Sequence, residues 1–570
     1  MTLFERLCFG WLTARRAGVR RVFARARRFF LLRVVYPRFA AQLFPRRSIP
    51  LRSFGQRFAA PTLVASGTWD GRVRLLTNEP FPICPPVDWK ANPKGHALWS
   101  FRLHEWEWAY PLVREALADD DALKELAALL RDYNDTVAIG DRIAYEPYPL
   151  SRRLVVWSIA LHVLFERQFD ALGLNRLAME IDRGARLLAE TIEHDLDNNH
   201  VIANAKGLAF AGSTLAQPYA RQGYDLMWEQ LRAQVRTDGV HVENSMSYHF
   251  QVWRDAIETC LLAREFNVAV PSDIPPRLVC MGNFLAALRY PDGTFPLLND
   301  SVNEGFEMFD LLRAALCELT DEKISLINSL LRVFQDSGYA TLQQGDTHVL
   351  FDAGALGPVY CPGHGHADTL SFELWTQGGA RILDPGVYQY EAGAWRDYFR
   401  GTAAHNTLQV DDLDSSEVGG SFRVGRMANG QLHVSGDGNS VCGEHDGYAR
   451  LKNPIWHSRT LALPNEHTLH ITDEIRGTGV HDYALHFHLA PESCVDIQGD
   501  KARIQFKDGV VLSLEIPGAP ALLNAQDGWV SPTWYTKISA PIIELRWRGE
   551  PPFVIRSSIQ VEMETANLRE

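Results

Sequence analysis

Between Gly363 and Thr407 the chain reads GHGHADTLSFELW, then RILDPGVYQY, then WRDYFRGTAAHNT. His364 and His366 are two apart, so on an extended chain both side chains leave the same face. Asp384 follows a second strand-like run and His405 a third. A His pair, a carboxylate and a further His are what a metal-assisted or acid/base site requires. Asp368 shares the pleat face of the two histidines and is a rival ligand, while Asp384 before Pro-Gly also suits a plain turn. His486 and His488 form a second HxH, in LHFHLAPE, with no carboxylate pattern around it; this reads as ordinary sheet sequence.

Two kinds of element must position these residues. From about Trp99 to Leu342 apolar residues recur at three and four, as in LHEWEWAYPLVREALA and RRLVVWSIALHVLFERQF. Ten or so such helices in succession imply an all-α layer, stacked as a toroid or a solenoid. From about Thr347 the period becomes two, in runs such as THVLFDAG and HTLHITDEIRG, with GDGN and KDG as turns. That pattern predicts an antiparallel sandwich or stacked sheets. The expected organisation is α+β and multidomain: a basic arm over 1–60, a helical domain over 61–342 and an antiparallel β-sheet domain over 343–570. A cleft between the two large domains is the natural ligand site.

Composition is that of an ordinary soluble globular protein, with 15 Trp and 17 Tyr available to cover sugar faces or to fill cores. The charge is uneven. Through Arg57 there are 14 Arg and one acid, Glu5, a net +13, so the remainder carries −25 of the chain's −12. In GVRRVFARARRFFLLRVVYPR, Arg20, Arg21, Arg27 and Arg28 alternate at helical spacing with Val22, Phe23, Phe29 and Phe30. Two readings stand: contact with a membrane surface or polyanion, or a terminal helix docked on the acidic body. No window has the ~18 apolar residues of a spanning helix. The run Leu7–Ala14, preceded by Glu5 and followed by Arg15 and Arg16, is a poor secretory signal, which leaves the periplasmic and cytoplasmic sides of a bacterial envelope both open. The eight Cys are scattered with no CxxC pair, as packed reduced thiols are. No phosphate-binding glycine loop is present, and the acidic body argues against a nucleic-acid enzyme.

GHGHADTLSFEL, LDPGVYQY, DYFRGTAAHNT with VDD after it, DNNHVIANAKGL and ENSMSYHF occur in this order across roughly residues 90–560. In these motifs the chain resembles the heparinase II/III-like polysaccharide lyases. The resemblance implies an incomplete α/α toroid followed by antiparallel β-sheets, and β-elimination at uronic-acid residues of an acidic polysaccharide. It implies that Asn199 and His200 meet the substrate carboxylate, that Tyr248 and His364 are catalytic, and that His366, Asp384 and His405 hold a structural zinc. Tyr398 and Arg400 match as substrate-binding residues of the cleft.

Those residue types suit elimination. Removing the C5 proton beside a carboxylate builds an enolate-like dianion, which Asn and His donors stabilise. A phenol of ordinary pKa ~10 is a poor base at neutral pH unless a cation lowers it, but it serves as the acid for the leaving oxygen. Tyr248 and His364 can therefore share the two proton transfers, with the assignment set by C5 stereochemistry, and a single Tyr can serve both steps when the proton and the leaving group lie on one face. Asn198 or Asn199 also suits a helix N-cap. Two rival functions remain: a glycoside hydrolase, which requires two carboxylates ~5–5.5 or ~6.5–9.5 Å apart and for which Glu243 offers only one, and a non-catalytic glycan-binding or assembly protein of exopolysaccharide production.

Overall fold

The computed structural model describes residues 18–47, 67–76, 79–320, 330–434 and 440–563, together with Ile49 and Ile324. Helix starts in the first half are set by local chemistry. Asp119, Asp170, Asn198 and Ser245 each turn a side-chain oxygen onto a first-turn N–H, capping Asp120–Thr136, Ala171–Thr191, Asn199–Leu215 and Met246–Glu265. With Pro147–Glu166, Tyr219–Gln234, Ile274–Leu288 and Phe309–Thr320 these build an incomplete α/α toroid.

The Asn199–Leu215 helix is its centre, packed against both Pro147–Glu166 and Tyr219–Gln234 and buried almost all round. Gly212 makes the closest approach possible, since a Cβ there would overlap the backbone of Ala220. The helix's one lysine, Lys206, is buried and held by Asp255 at 2.9 Å and by Glu258.

The second half is antiparallel throughout its named strands. A five-stranded meander runs Leu331–Phe334, Tyr339–Gln344, Thr347–Asp352, Ser371–Thr376 and Gly379–Ile382. An eight-stranded sheet and a four-stranded sheet complete the stack. Thr468–Gly477 alternates buried and exposed residues, as a strand with one wet face must, whereas Ser371–Thr376 is buried at every position because both its faces are covered. The sheet begins at Leu331 rather than at 343. Its first hairpin has a four-residue strand before the Asp336-Ser337-Gly338 turn, too short to show a period of two. The apolar core of the helices extends into the β half through Tyr339, Leu350, Val387 and Trp534, so the two halves pack as one body.

The basic arm is helical over 18–30, passes through a π turn at Leu31–Val35 and continues as Tyr36–Leu43. It docks on an acidic ledge of the toroid. Arg21 meets Asp197 at 2.9 Å, Arg28 meets Asp195 at 2.7 Å and Glu193 at 3.1 Å, and Arg33 meets Glu146 at 2.6 Å. The arm's own Leu32, Tyr36 and Ala40 are buried. The remainder of the expected arm, 1–17, 48 and 50–60, lies outside the described residues. No described helix is long and apolar enough to cross a membrane.

Candidate active site

The toroid and the sheets meet where the first turns of two helices face the GHGH loop. Asn198, not Asn199, is the N-cap: its Oδ1 accepts the His200 N–H at 3.1 Å. Asn199 is thereby free of capping. Its backbone N–H donates to Glu243 Oε2 at 3.1 Å, but its carboxamide is fully buried and neither Oδ1 nor Nδ2 has a partner. His200 Nδ1 lies 3.1 Å from Glu193. Burial opposes its charged form, but Glu193 and then Glu243 outweigh this and its pKa is raised.

Ser245 caps the Met246–Glu265 helix and places Tyr248 in its first turn. The Tyr248 ring lies against His364, centroids 4.3 Å apart, and its hydroxyl hydrogen-bonds that of Tyr390. Burial, then the charge of Asp300, push the Tyr248 hydroxyl well above its ordinary pKa, so it is held protonated.

His364 and His366 sit on a loop, not on a strand, so the same-face argument does not apply to them. They converge instead on one buried carboxylate. His364 Nδ1 is 2.8 Å from Asp300 Oδ2, and His366 Nε2 is 3.0 Å from Asp300 Oδ1. The Gly365 between them is required, because a Cβ there would overlap Leu356. Arg396 completes the cluster with both terminal nitrogens on Asp300, one at 2.8 Å. Burial alone would raise the Asp300 pKa, but the Arg396 charge and the histidine hydrogen bonds hold it well below the carboxylate range. Ionised Asp300 only accepts, so Nδ1 of His364 carries a proton, and Nε2 lies 3.7 Å from Glu243.

His366, Asp384 and His405 come together with one donor atom from each within 4.8 Å, all buried. His405 Nδ1 is 2.8 Å from Asp384 Oδ2. With His366 Nε2 on Asp300, this leaves His366 Nδ1 and His405 Nε2 buried and unpartnered, two ring nitrogens beside a carboxylate. That donor set fits a divalent cation such as zinc. Asp368 is also buried with Oδ2 unpartnered, and burial followed by the charge of Asp352 raises its pKa.

Tyr398 and Arg400 have other partners. The Tyr398 hydroxyl accepts the Trp529 N–H at 3.1 Å. The buried Arg400 guanidinium donates to Gly365 O at 3.1 and 3.2 Å, which ties down the GHGH loop. His486 and His488 lie on a sheet strand, with Glu544 at 3.2 Å and Ala403 O at 3.0 Å. Sequence reasoning did not single out Asp300, Tyr390 or Arg396. Tyr390 and Arg396 stand inside two of the quoted motifs, whereas Asp300 comes from LLNDS, where nothing but burial distinguishes it.

Beside Tyr248 opens a cavity of about 490 Å³, lined by Arg74, Arg102, Glu105, Trp108, Arg254 and Trp534 among others. Rings and paired charges of this kind suit a polar, ring-shaped ligand unit.

Two family models match the chain. One, Heparinase II/III N-terminus, covers residues 77–316, and the other, Heparinase II/III-like, C-terminal, covers 327–551. A heparin-sulfate lyase of Bacteroides thetaiotaomicron is 22% identical over 470 residues, 73% of this chain and 64% of that protein. One from Bacteroides stercoris is 22% identical over 374 residues, 60% and 54% of the two chains. The chain thus matches less than two thirds of the length of these curated relatives. Among solved structures, Heparinase III superposes with a TM-score of 0.72 at 18% identity, covering 84% of this chain and 79% of that one. A heparan sulfate lyase from Pedobacter heparinus gives 0.59 at 17% identity, with 86% and 81% covered. Both share the toroid-then-sheets fold, and with both halves matched the chain belongs to the heparinase II/III-like family.

Proposed function

We propose that this chain is a polysaccharide lyase, a carbon–oxygen lyase that cleaves a uronic-acid-containing acidic polysaccharide by β-elimination. The observation that carries the reading is the buried, unpartnered carboxamide of Asn199, a residue whose backbone N–H shares Glu243 with His364 of the Tyr248–His364 pair. A donor left unpaired in a folded interior costs about 1–3 kcal/mol, and a bound uronate carboxylate supplies what it lacks.

The residues divide the work as their surroundings direct. Asn199 Nδ2 and the cationic form of His200 hold the uronate carboxylate and stabilise the negative charge that develops on it. His364, its Nδ1–H fixed by Asp300, takes the C5 proton at Nε2. The C5 electron pair becomes the C4–C5 double bond as the bond from C4 to the glycosidic oxygen breaks, and Tyr248 gives its hydroxyl proton to that oxygen. Proton return from the imidazolium to the adjacent phenolate resets the site. Tyr390, bonded to the Tyr248 hydroxyl, stabilises the phenolate in between.

Zinc fits the His366, Asp384 and His405 set, where it would act as a structural ion that fixes the loop carrying His364. No step of the elimination passes through it.

The curated relatives are named for heparin sulfate, so a glycosaminoglycan is the first substrate class to try, with bacterial acidic exopolysaccharides second. Two observations weigh against a hydrolase. Asp300 is held ionised by Arg396, and Glu243 accepts from Asn198 Nδ2 at 3.2 Å and from the Asn199 N–H, so neither is placed as a free general acid. The test is a panel of uronate polymers followed by ultraviolet absorbance of the new double bond. Absorbance that rises with the native chain and not with Tyr248→Phe supports the lyase. New reducing ends without absorbance refute it.

A further inference from the structure

The arm's arginines divide between two faces, and only one of those faces is used by the protein. Arg21, Arg28 and Arg33 turn inward onto Asp197, Asp195, Glu193 and Glu146. The outward stripe, at 3.6 residues per turn, consists of Val19, Val22, Phe23, Ala26, Phe29 and Phe30. Val19 is 87% exposed, Phe23 73%, Phe29 64% and Phe30 56%. Val34, Phe39 and Leu43 extend the exposed apolar surface into the next helix. Large side chains displayed in a continuous row are uncommon on a protein that meets only water.

Cations border this stripe. Arg20 and Arg27 run along one edge and Arg25 along the other. Arg27 reaches an exposed Glu190, while among the described residues neither Arg20, Arg25 nor Arg38 is paired with an acid. No acid lies between Gly18 and Ile49. The chain before Gly18 adds Arg15, Arg16 and the apolar run Leu7–Ala14 in the same chemistry.

We infer that the outer face of the 18–43 arm docks flat on an anionic lipid bilayer. The phenyl rings enter the headgroup boundary and the flanking arginines meet the lipid phosphates. The inner arginines fix the helix to the protein, so it is presented as a rigid ridge and not as a tether. Charge selects the lipid surface over a second copy, because pairing two such ridges would bring their unpaired arginines together, whereas lipid phosphates neutralise them. The ridge lies beside the candidate site, since Arg28 holds the Glu193 that also contacts His200. The inference does not depend on the lyase reading.

The test is flotation of the full chain with vesicles of phosphatidylcholine alone and of phosphatidylcholine with about one third phosphatidylglycerol. The native chain should float with the anionic vesicles, less at high salt and little with neutral ones. Phe23→Glu/Phe29→Glu/Phe30→Glu should weaken the apparent affinity at least about tenfold, and Arg20→Glu/Arg25→Glu should also weaken it, with unfolding temperatures unchanged because all five side chains are exposed. Equal binding by native chain and triple variant overturns the inference, as does failure of the native chain to float. A native dimer that the triple variant makes monomeric, without flotation by either, would assign the ridge to a second copy instead.

Discussion

Replacing Asn199 separates what a residue does for the fold from what it does for the reaction. Its backbone N–H holds Glu243, and that bond survives any side-chain change. Its carboxamide, fully buried, bonds to nothing in the protein. Burying such a group unpaired costs about 1–3 kcal/mol, so the near-isosteric Asn199→Leu should leave stability unchanged or raise it by roughly 1 kcal/mol, a few degrees or less in unfolding temperature. In the proposed mechanism the same change removes a donor to the developing dianion. Loss of one such donor lowers kcat about 10²–10³-fold, or about 2.7–4 kcal/mol of transition-state stabilisation. Calorimetry and initial rates of double-bond formation on one protein preparation read both quantities. A variant that stays active would refute the placement of Asn199 at the carboxylate. A variant that unfolds 10 °C or more earlier would show that the carboxamide has structural partners, contrary to the site described here.

Four further outcomes follow from the same geometry. Tyr248→Phe keeps the ring against His364 and loses the hydroxyl, with its transferable proton and its bond to Tyr390, so kcat should fall about 10²–10⁴-fold; a tenfold loss or less would move the acid role elsewhere. Asp300→Asn leaves Arg396 buried without its counter-charge and should destabilise by about 3–5 kcal/mol in denaturant titration, whereas a loss under 1 kcal/mol would mean that the cluster relaxes freely. Burial and Arg153 hold the His104 pKa down to about 4 in the folded chain against an ordinary 6.5. Between those values the unfolded chain binds the extra proton, so stability is lost as the pH drops through that window, by about 2 kcal/mol at pH 5 from this residue; His104→Gln should flatten the slope by one proton, and an unchanged slope would contradict it. Dialysis against a strong chelator should lower the unfolding temperature of the native chain and not that of His366→Ala/His405→Ala, and equal behaviour of the two would remove the metal from the account.

The order of helices and then strands was legible because both periods run over many residues, as in RRLVVWSIALHVLFERQF and HTLHITDEIRG. The first hairpin of the sheet was not, since Leu331–Phe334 is too short for a period to register. Tyr248, Asn199, His364 and the His366, Asp384 and His405 set stood out through their motifs, and the fold brings them to neighbouring positions. The inner supports did not stand out. Asp300 joins two histidines to Arg396 across 64, 66 and 96 residues of sequence, and no local pattern encodes such a meeting. Arg400 illustrates the converse: a cationic residue in a motif reads as a substrate contact, yet its guanidinium lies on the carbonyl of Gly365. Composition left the basic arm with two readings, because docking depends on Glu146, Glu193, Asp195 and Asp197 converging from two helix ends. The folded chain shows that ledge, and the outward phenylalanines leave room for the membrane contact as well.

Elimination and hydrolysis of a glycosidic bond differ in the fate of water oxygen. Digestion of a responsive uronate polymer in water enriched in the heavy oxygen isotope, followed by mass spectrometry of the fragments, distinguishes the two chemistries. The account predicts unsaturated fragments, one water lighter than hydrolysis products, with no heavy oxygen introduced by the cleavage itself. Saturated fragments that each carry one heavy oxygen would contradict it and would return the site to hydrolysis.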